Sequence, residues 1–230
     1  MTAVIFAGCA IASYVIGSIP TGFLWAKARG IDIRTVGSGN IGATNVMRTL
    51  GKGPGIAVLL MDAVKGLLPV WLAPRLFSDV NPVWLEITCC VSVIAGHNWT
   101  CWLKFKGGKG IATSAGALLA FLPWPLLCAL GVWLIVFGIS RYVSLASICA
   151  AVALPIATWI IDREATLLIF TAVIAAVAIY KHKSNIQRLL AGTENRVSSK
   201  PSNPRPERER GLQGAVSSPR LRGEGQGEGR

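Results

Sequence analysis

Apolar stretches alternate along this chain with short polar ones, and the apolar stretches are long. A membrane span needs about 20 apolar residues. Six windows approach or exceed that: 3–25; 54–73, interrupted by Asp62 and Lys65; 83–103, carrying Glu86 and His97; 111–138, without a single charge; 142–161; and 165–180. The first window has no basic residue before Lys27 and is too long for the core of a cleaved signal peptide, so it is expected to be a retained span. From 195 to 230 the pattern changes in kind. Arg196, Lys200, Arg205, Arg208, Arg210, Arg220, Arg222 and Arg230 are scattered among Pro, Ser, Gly and glutamates, with few aliphatic residues. That composition predicts a disordered basic tail, behind a membrane domain covering 1–194.

The charge-free run 111–138 decides the topology. It is either one long span or two short ones turning at Pro123-Trp124-Pro125. Lys and Arg concentrate in cytoplasmic loops, which separates the two. With two spans, one side holds Lys27, Arg29, Arg34, Arg48, Lys52, Lys104, Lys106, Lys109, Arg141, Lys181, Lys183 and Arg188, and the other only Arg75 and Arg163. With one span, Arg141 and the basic C-terminus move to the opposite side. The two-span reading predicts an all-α integral membrane protein with seven transmembrane helices, N-terminus outside and C-terminus cytoplasmic. The first half of the divided run is then short. A helix over 111–122 is roughly 18 Å long, well under a hydrocarbon core of about 30 Å.

Composition supports a membrane protein. The chain is 52% hydrophobic and 15% charged, which is not the make-up of a soluble globule. The six cysteines lie in or beside apolar segments without CxxC spacing. They read as buried, inert thiols, and neither a metal site nor a disulfide framework is supported.

With this topology the polar residues fall into four clusters on one side. The first is Gly37-Ser38-Gly39-Asn40-Ile41-Gly42-Ala43-Thr44-Asn45, followed by Arg48. The second is Lys104-Phe105-Lys106-Gly107-Gly108-Lys109-Gly110-Ile111-Ala112-Thr113. The third is Arg141-Tyr142-Val143-Ser144, and the fourth runs from His182 through Asn185 and Arg188 to Glu194. Gly37–Gly42 fits GxGxxG, but a dinucleotide site needs a βαβ unit around it, and here the motif lies between membrane spans. The lysine–glycine hairpin is not a Walker A loop, because Gly110 stands where Ser or Thr is required. A plain positive-inside loop explains its lysines but not its glycines. Glycine N–H groups form anion-binding nests, and lysines supply point charges for phosphate. Before Glu194, only Asp32 opposes these cations on that side. The clusters therefore point to a phosphorylated, anionic substrate handled at a membrane face. His182 alone reads as a helix-end cap; beside Asn185 and Arg188 a site role has at least equal weight. Asp62 and Lys65, three apart in an apolar span, are expected to pair with each other, with Lys65 a candidate to reach the site. A transporter of a phosphorylated solute would use the same cations, although transporters commonly show internal repeats and midplane sites, and no repeat is visible here.

The motifs resemble those of a known family. Gly37-Ser38-Gly39-Asn40-x-Gly42-Ala43-Thr44-Asn45-Val46-x-Arg48, Phe105-Lys106-Gly107-Gly108-Lys109-Gly110-x-Ala112-Thr113, Ser144-Leu145 and His182-x-x-Asn185-Ile186-x-Arg188-Leu189 look like the acyl-phosphate:glycerol-3-phosphate acyltransferases, the PlsY family. Ile41 stands where many members have proline, and the tail has no counterpart. The resemblance implies a seven-helix bundle in the bacterial cytoplasmic (inner) membrane with its site facing the cytoplasm. It implies transfer of a fatty acyl group from acyl phosphate to the sn-1 hydroxyl of glycerol 3-phosphate, giving lysophosphatidic acid and phosphate. By motif matching, Ser38, Asn40, Arg48, Ser144, His182 and Asn185 would be catalytic. Thr44, Asn45, Lys104, Gly107, Gly108, Lys109, Gly110 and Thr113 would bind substrate, with the hairpin on glycerol 3-phosphate, and Glu194 would be structural. No cofactor, metal or nucleic acid is implied, and the partners are the two substrates and membrane lipid.

Overall fold

The computed structural model describes residues 1–197, and the greater part of the expected basic tail lies outside them. The described residues form ten α-helices and no strand. These are α1 (Thr2–Ser18), α2 (Thr21–Lys27), α3 (Ala43–Leu50), α4 (Lys52–Leu76), α5 (Pro82–Asn98), α6 (Ile111–Phe121), α7 (Pro123–Ser140), α8 (Val143–Ile161), α9 (Ala165–Lys181) and α10 (Lys183–Leu190). The helices follow the hydropathy windows closely. The run 111–138 is divided at Leu122, where Pro123 opens α7; proline suits a first helical position because no N–H is needed there.

Four helical stretches are long and apolar enough to cross a bilayer: Thr2–Lys27, Lys52–Leu76, Pro123–Ser140 and Val143–Ile161. A fifth qualifies if α9 and α10, which meet at 59°, count together. Residue count separates the rest from the expected seven spans: α5 has 17 residues and α6 only 11. At 1.5 Å per residue α6 rises roughly 16 Å.

Without a hydrophobic effect between lipid-immersed helices, close approach of small residues supplies the packing. Gly17 of α1 faces the Val93 carbonyl and Gly96 of α5 faces the Tyr14 carbonyl, each too close for a Cβ. Gly66 and Gly116 do the same between α4 and α6. The main core gathers Val70, Leu85, Val93, Leu118, Leu154 and Phe170 between these helices. A smaller core, including Ile33, Val46 and Val58, lies under α2 and α3. Outward positions such as Leu134, Ile135, Ile139, Ile156, Ile160 and Ile169 are exposed, as suits surfaces that meet hydrocarbon.

The two charges within α4, Asp62 and Lys65, are paired with each other. Asp62 and Lys65 are one helical turn apart on α4, their side chains 2% and 7% exposed, with 2.7 Å between charged atoms. This is the pairing their spacing suggests. Pro20 interrupts the first span after α1, and Lys65 Nζ donates to the Ile19 carbonyl at 2.8 Å. Thr21 Oγ1 donates to Asp62 Oδ1 at 2.6 Å.

At the end of the molecule where α2, α5 and α9 finish, cations lie over aromatic rings. The pairs are Lys27 and Arg34 over Phe23, Arg29 over Trp25, Lys181 over Trp99, Lys183 over Tyr180, and Arg196 over Tyr142. At the far end of α4, Arg75 lies over Trp71. The start of the predicted tail is held at the first of these ends, where the Val197 N–H donates to the Arg141 carbonyl at 3.0 Å.

Candidate active site

The four polar clusters meet at the end of the bundle that carries most of these cation–ring pairs. The loop between α2 and α3 folds around one side chain. Asn45 Oδ1 accepts the Ser38 N–H at 2.8 Å, and Nδ2 donates to the carbonyls of Asn40, Val36 and Ile33 at 2.9, 3.1 and 3.2 Å. Asn45 is 2% exposed, so its amide is committed to the loop and has nothing left for a ligand. Asn40 Oδ1 accepts the Gly42 N–H at 2.8 Å and closes the turn into α3. Ser38 and Thr44 are exposed, and Arg48 on α3 is half-buried. Asp32 pairs with Arg34 at 2.7 Å, and that guanidinium holds its carboxyl down at about 2. The one acid noted before Glu194 is thus occupied by a cation of its own loop.

The lysine–glycine hairpin departs from the expected anion nest. The Gly107 N–H donates to the Asn98 carbonyl at 3.2 Å and the Gly108 N–H to the His97 carbonyl at 3.0 Å. Two of the amides expected to face phosphate are satisfied by the end of α5. Lys104 is exposed and left-handed (φ 53°). Gly110, at φ 79°, precedes α6. Thr113 is fully buried one turn into that helix, its hydroxyl without a hydrogen-bond partner.

What the hairpin presents is Lys109. Its Nζ donates to Asn185 Oδ1. Burial lowers the ammonium to about 8; Glu194 opposes that shift, and Arg188, Arg48 and Lys181 add to it. Asn185 Nδ2 donates to Glu194 Oε1 at 2.7 Å, and Ser144 Oγ donates to the same oxygen at 2.8 Å. Arg188 Nε donates to Glu194 Oε2 at 2.7 Å. Glu194 therefore ties the start of α8 to α10 and, through Asn185, to the hairpin. Burial would raise its carboxyl, but the bonds from Asn185, Ser144 and Arg188 hold it below its ordinary value. Arg48 contributes its charge from α3. Burial lowers its pKa while the facing Glu194 raises it, and a guanidinium stays cationic regardless.

His182 occupies the break between α9 and α10. Its Nδ1 lies 2.8 Å from the Ala178 carbonyl. A carbonyl only accepts, so Nδ1 carries the hydrogen and Nε2 the lone pair. Burial, and then the Lys109 charge, bring it down to about 4, so the ring is neutral at pH 7. Behind it an apolar cavity of about 110 Å³ runs between α6, α7, α8 and α9, lined in part by Ser114, Leu118, Trp133, Ser147 and Ala178.

Of the residues marked from sequence, the structure joins Lys109, Ser144 and Asn185 in one network, with Arg48 and His182 within reach of its charges. It leaves Asn45 and Thr113 inside the protein, Lys104 at the surface, Ser38 and Asn40 in a separate loop, and Thr44 exposed in the first turn of α3. The hub, Glu194, carries no signal in composition, since an acid at the edge of a basic tail reads as one charge among many. Chemically, cations gathered around one carboxylate, a neutral imidazole lone pair and an apolar cavity suit an anionic group joined to an aliphatic one.

Comparison with known proteins agrees. The model of the family described as Glycerol-3-phosphate acyltransferase matches residues 7–192. The chain is 52% identical over 191 residues to the glycerol-3-phosphate acyltransferase of Desulforamulus reducens, covering 83% of this chain and 94% of that one. It is 49% identical over 188 residues to that of Geobacter sulfurreducens, covering 81% and 95%. Two crystal structures of PlsY, an integral membrane glycerol 3-phosphate acyltransferase, share the fold. The glycerol 3-phosphate form has a TM-score of 0.79 at 39% identity and the lysophosphatidic acid form 0.76 at 38%, each covering 84% of this chain and 96% of the other. With the matched region running from within α1 past the end of α10, the chain belongs to the glycerol-3-phosphate acyltransferase family.

Proposed function

We propose that this protein transfers a fatty acyl group from acyl phosphate to the sn-1 hydroxyl of glycerol 3-phosphate. The hydroxyl oxygen bonds to the acyl carbonyl carbon, the carbon–oxygen bond to phosphate breaks, and lysophosphatidic acid and inorganic phosphate leave. The observation that carries this reading is the Lys109–Asn185–Glu194–Ser144 network set among Arg48 and Arg188. Such a site neutralises phosphate charge while fixing the geometry of attack, the two tasks that matter when the donor is already an activated anhydride. Lys109 and its hairpin bind the acceptor's phosphate. Ser38, Asn40 and Arg48 face the phosphate being displaced. The cavity behind His182 takes the first methylenes of the acyl chain.

The hydroxyl proton goes to the departing phosphate. A general base works best with a pKa near the operating pH, and His182 is held at about 4. Its Nε2 accepts a hydrogen bond and orients the acceptor, with Asn185 holding the facing group. The apolar segments, including the short α5 and α6, form seven spans in the bacterial cytoplasmic membrane. The N-terminus lies outside and the site at the cytoplasmic face, where a lipid-borne donor and a water-soluble acceptor meet.

Purified protein in detergent is incubated with acyl phosphate and glycerol 3-phosphate, and phosphate and lysophosphatidate are measured together. Equal release of both is expected with acyl phosphate and none with an acyl thioester; no product from acyl phosphate overturns the proposal. Replacing His182 with Ala should cost less than about 10⁴-fold, the top of the usual general-base contribution. A larger loss assigns the proton to His182.

A further inference from the structure

His97 and Asn98 close α5 in the interior, 5% and 0% exposed, and the reaction above uses neither. The hairpin rests on them. Besides the two backbone bonds already described, a methyl group at Gly107 would strike the His97 carbonyl, and one at Gly108 would strike the His97 imidazole, nearest at Nε2. Gly107 and Gly108 are not among the glycines with positive φ, so space alone, not backbone conformation, restricts them.

The other edge of the imidazole is also defined. Nδ1 stands 3.6 Å from Asp62 Oδ1, too long for a direct hydrogen bond but within one charge contact. That oxygen is fixed by Lys65 and Thr21. Asp62 therefore faces one side of the ring and Gly108 the other. The α5 end is itself secured, with Thr100 Oγ1 donating to the Ser18 carbonyl at 2.5 Å and Lys181 Nζ to the Asn98 carbonyl at 2.8 Å. Lys109 follows Gly108 directly, and from there it reaches Asn185.

We infer that His97 is a positioning residue: its imidazole is the floor beneath Gly108 and sets the height at which Lys109 meets Asn185 and the acceptor's phosphate. This rests on the acyl-transfer reading above. It also changes why Gly108 is a glycine. The side chain is absent to clear a ring inside the protein, not to let a ligand approach the backbone. The buried Asp62–Lys65 pair then serves the site without touching substrate, because it backs the ring that backs the hairpin.

The two explanations of Gly108 separate in a double substitution, because Ala at position 97 deletes the ring atoms that an alanine methyl at 108 would meet. Steady-state constants for each substrate are measured for Gly108→Ala, His97→Ala, the pair, and a Gly107→Ala/His97→Ala control. Gly108→Ala should raise KM for glycerol 3-phosphate roughly tenfold or more, the scale of overpacking a closed site. His97→Ala should raise it a few-fold, since the backbone bonds remain. The pair should return to within about threefold of His97→Ala, a non-additive result expected only of residues in contact. KM for acyl phosphate should stay flat throughout. The control should show no recovery, because the obstacle at Gly107 is a backbone carbonyl. A pair no better than Gly108→Ala overturns the inference, as does equal recovery in the control. Thermal unfolding in detergent is followed for every variant, and His97→Ser, which offers Asp62 a hydroxyl, replaces His97→Ala if the latter does not fold. Wild-type protein without acyl transfer overturns the proposed function instead, whereas active wild type without recovery overturns only the role of His97.

Discussion

Removing the Glu194 side chain tests what holds the site together. Glu194→Ala deletes the acceptor of three hydrogen bonds, and the three losses are unequal. Ser144 and Asn185 are each 5% exposed, so their donors are left buried without partners at about 1–3 kcal/mol each. Arg188 is 32% exposed at its side chain and turns to water, so its ion pair adds at most about 1 kcal/mol. The sum is about 2–7 kcal/mol. If it is expressed as loss of the ordered site, kcat/KM falls roughly 30- to 100,000-fold, at 1.36 kcal/mol per factor of ten. Glu194→Gln should be milder. Ser144 and Asn185 share Oε1, which an amide oxygen can replace, and the new NH₂ faces only the partly exposed Arg188; a loss of about tenfold or less is expected. The assay is initial-rate phosphate release in detergent, with lysophosphatidate quantified alongside and thermal unfolding as a check on folding. Glu194→Ala within threefold of wild type would refute the network as the source of order. Glu194→Gln as damaging as Glu194→Ala would show that the charge, not the geometry of acceptance, is what matters.

The Lys109 ammonium, at about 8, loses its charge as pH rises through 8, well below the usual lysine range. KM for glycerol 3-phosphate should therefore climb above pH 8, and Lys109→Arg should flatten that limb because a guanidinium stays charged. A wild-type KM flat to pH 10 counts against Lys109 as an acceptor contact. His182, at about 4, is already neutral at pH 5 and should add no limb between pH 5 and 8. The acceptor's own second ionisation near pH 6 appears in every variant, so a limb in that range lost only in His182→Gln refutes the assignment. Lys65→Met leaves Asp62 buried with only Thr21 bonded to it and should cost about 3–5 kcal/mol. The Asp62→Leu/Lys65→Met pair should cost clearly less by thermal unfolding. Equal losses would mean that the ion pair is not what stabilises this region.

Hydropathy and charge made most of the architecture legible. Pro123 marked the division of a long run that hydropathy alone would leave whole, and the one-sided distribution of lysine and arginine brought four distant loops together. Hydropathy does not report helix length, which is why the window 83–103 looks like an ordinary span in the sequence and α5 emerges with 17 residues, whereas the shortness of α6 was already readable from Pro123. The site was legible as residue types but not as roles. In Gly37–Asn45 an amide that binds a loop and one that binds a ligand read alike, and only the bonds of Asn45 to Ile33, Val36 and Asn40 decide. The hairpin glycines invited an anion nest because nothing in the sequence announces that the end of α5 lies beneath them. His97 is a lone polar residue in an apolar run, and its meaning depends on Asp62 and Gly108, both distant in the chain.

The cation–ring pairs have a mechanical consequence. Rings and long basic side chains of this kind settle at the boundary between headgroup and hydrocarbon, and here nearly all of them crowd the end that holds the site. That end is moored, while the opposite end carries Arg75 and Trp71 as its one pair among the described residues. A bilayer of changed thickness therefore meets two unlike boundaries, one set by cations lying over rings and the other mainly by the exposed rings of Trp84, Trp124 and Trp159. The first boundary answers to the charge of the headgroups as well as to thickness, the second mainly to thickness.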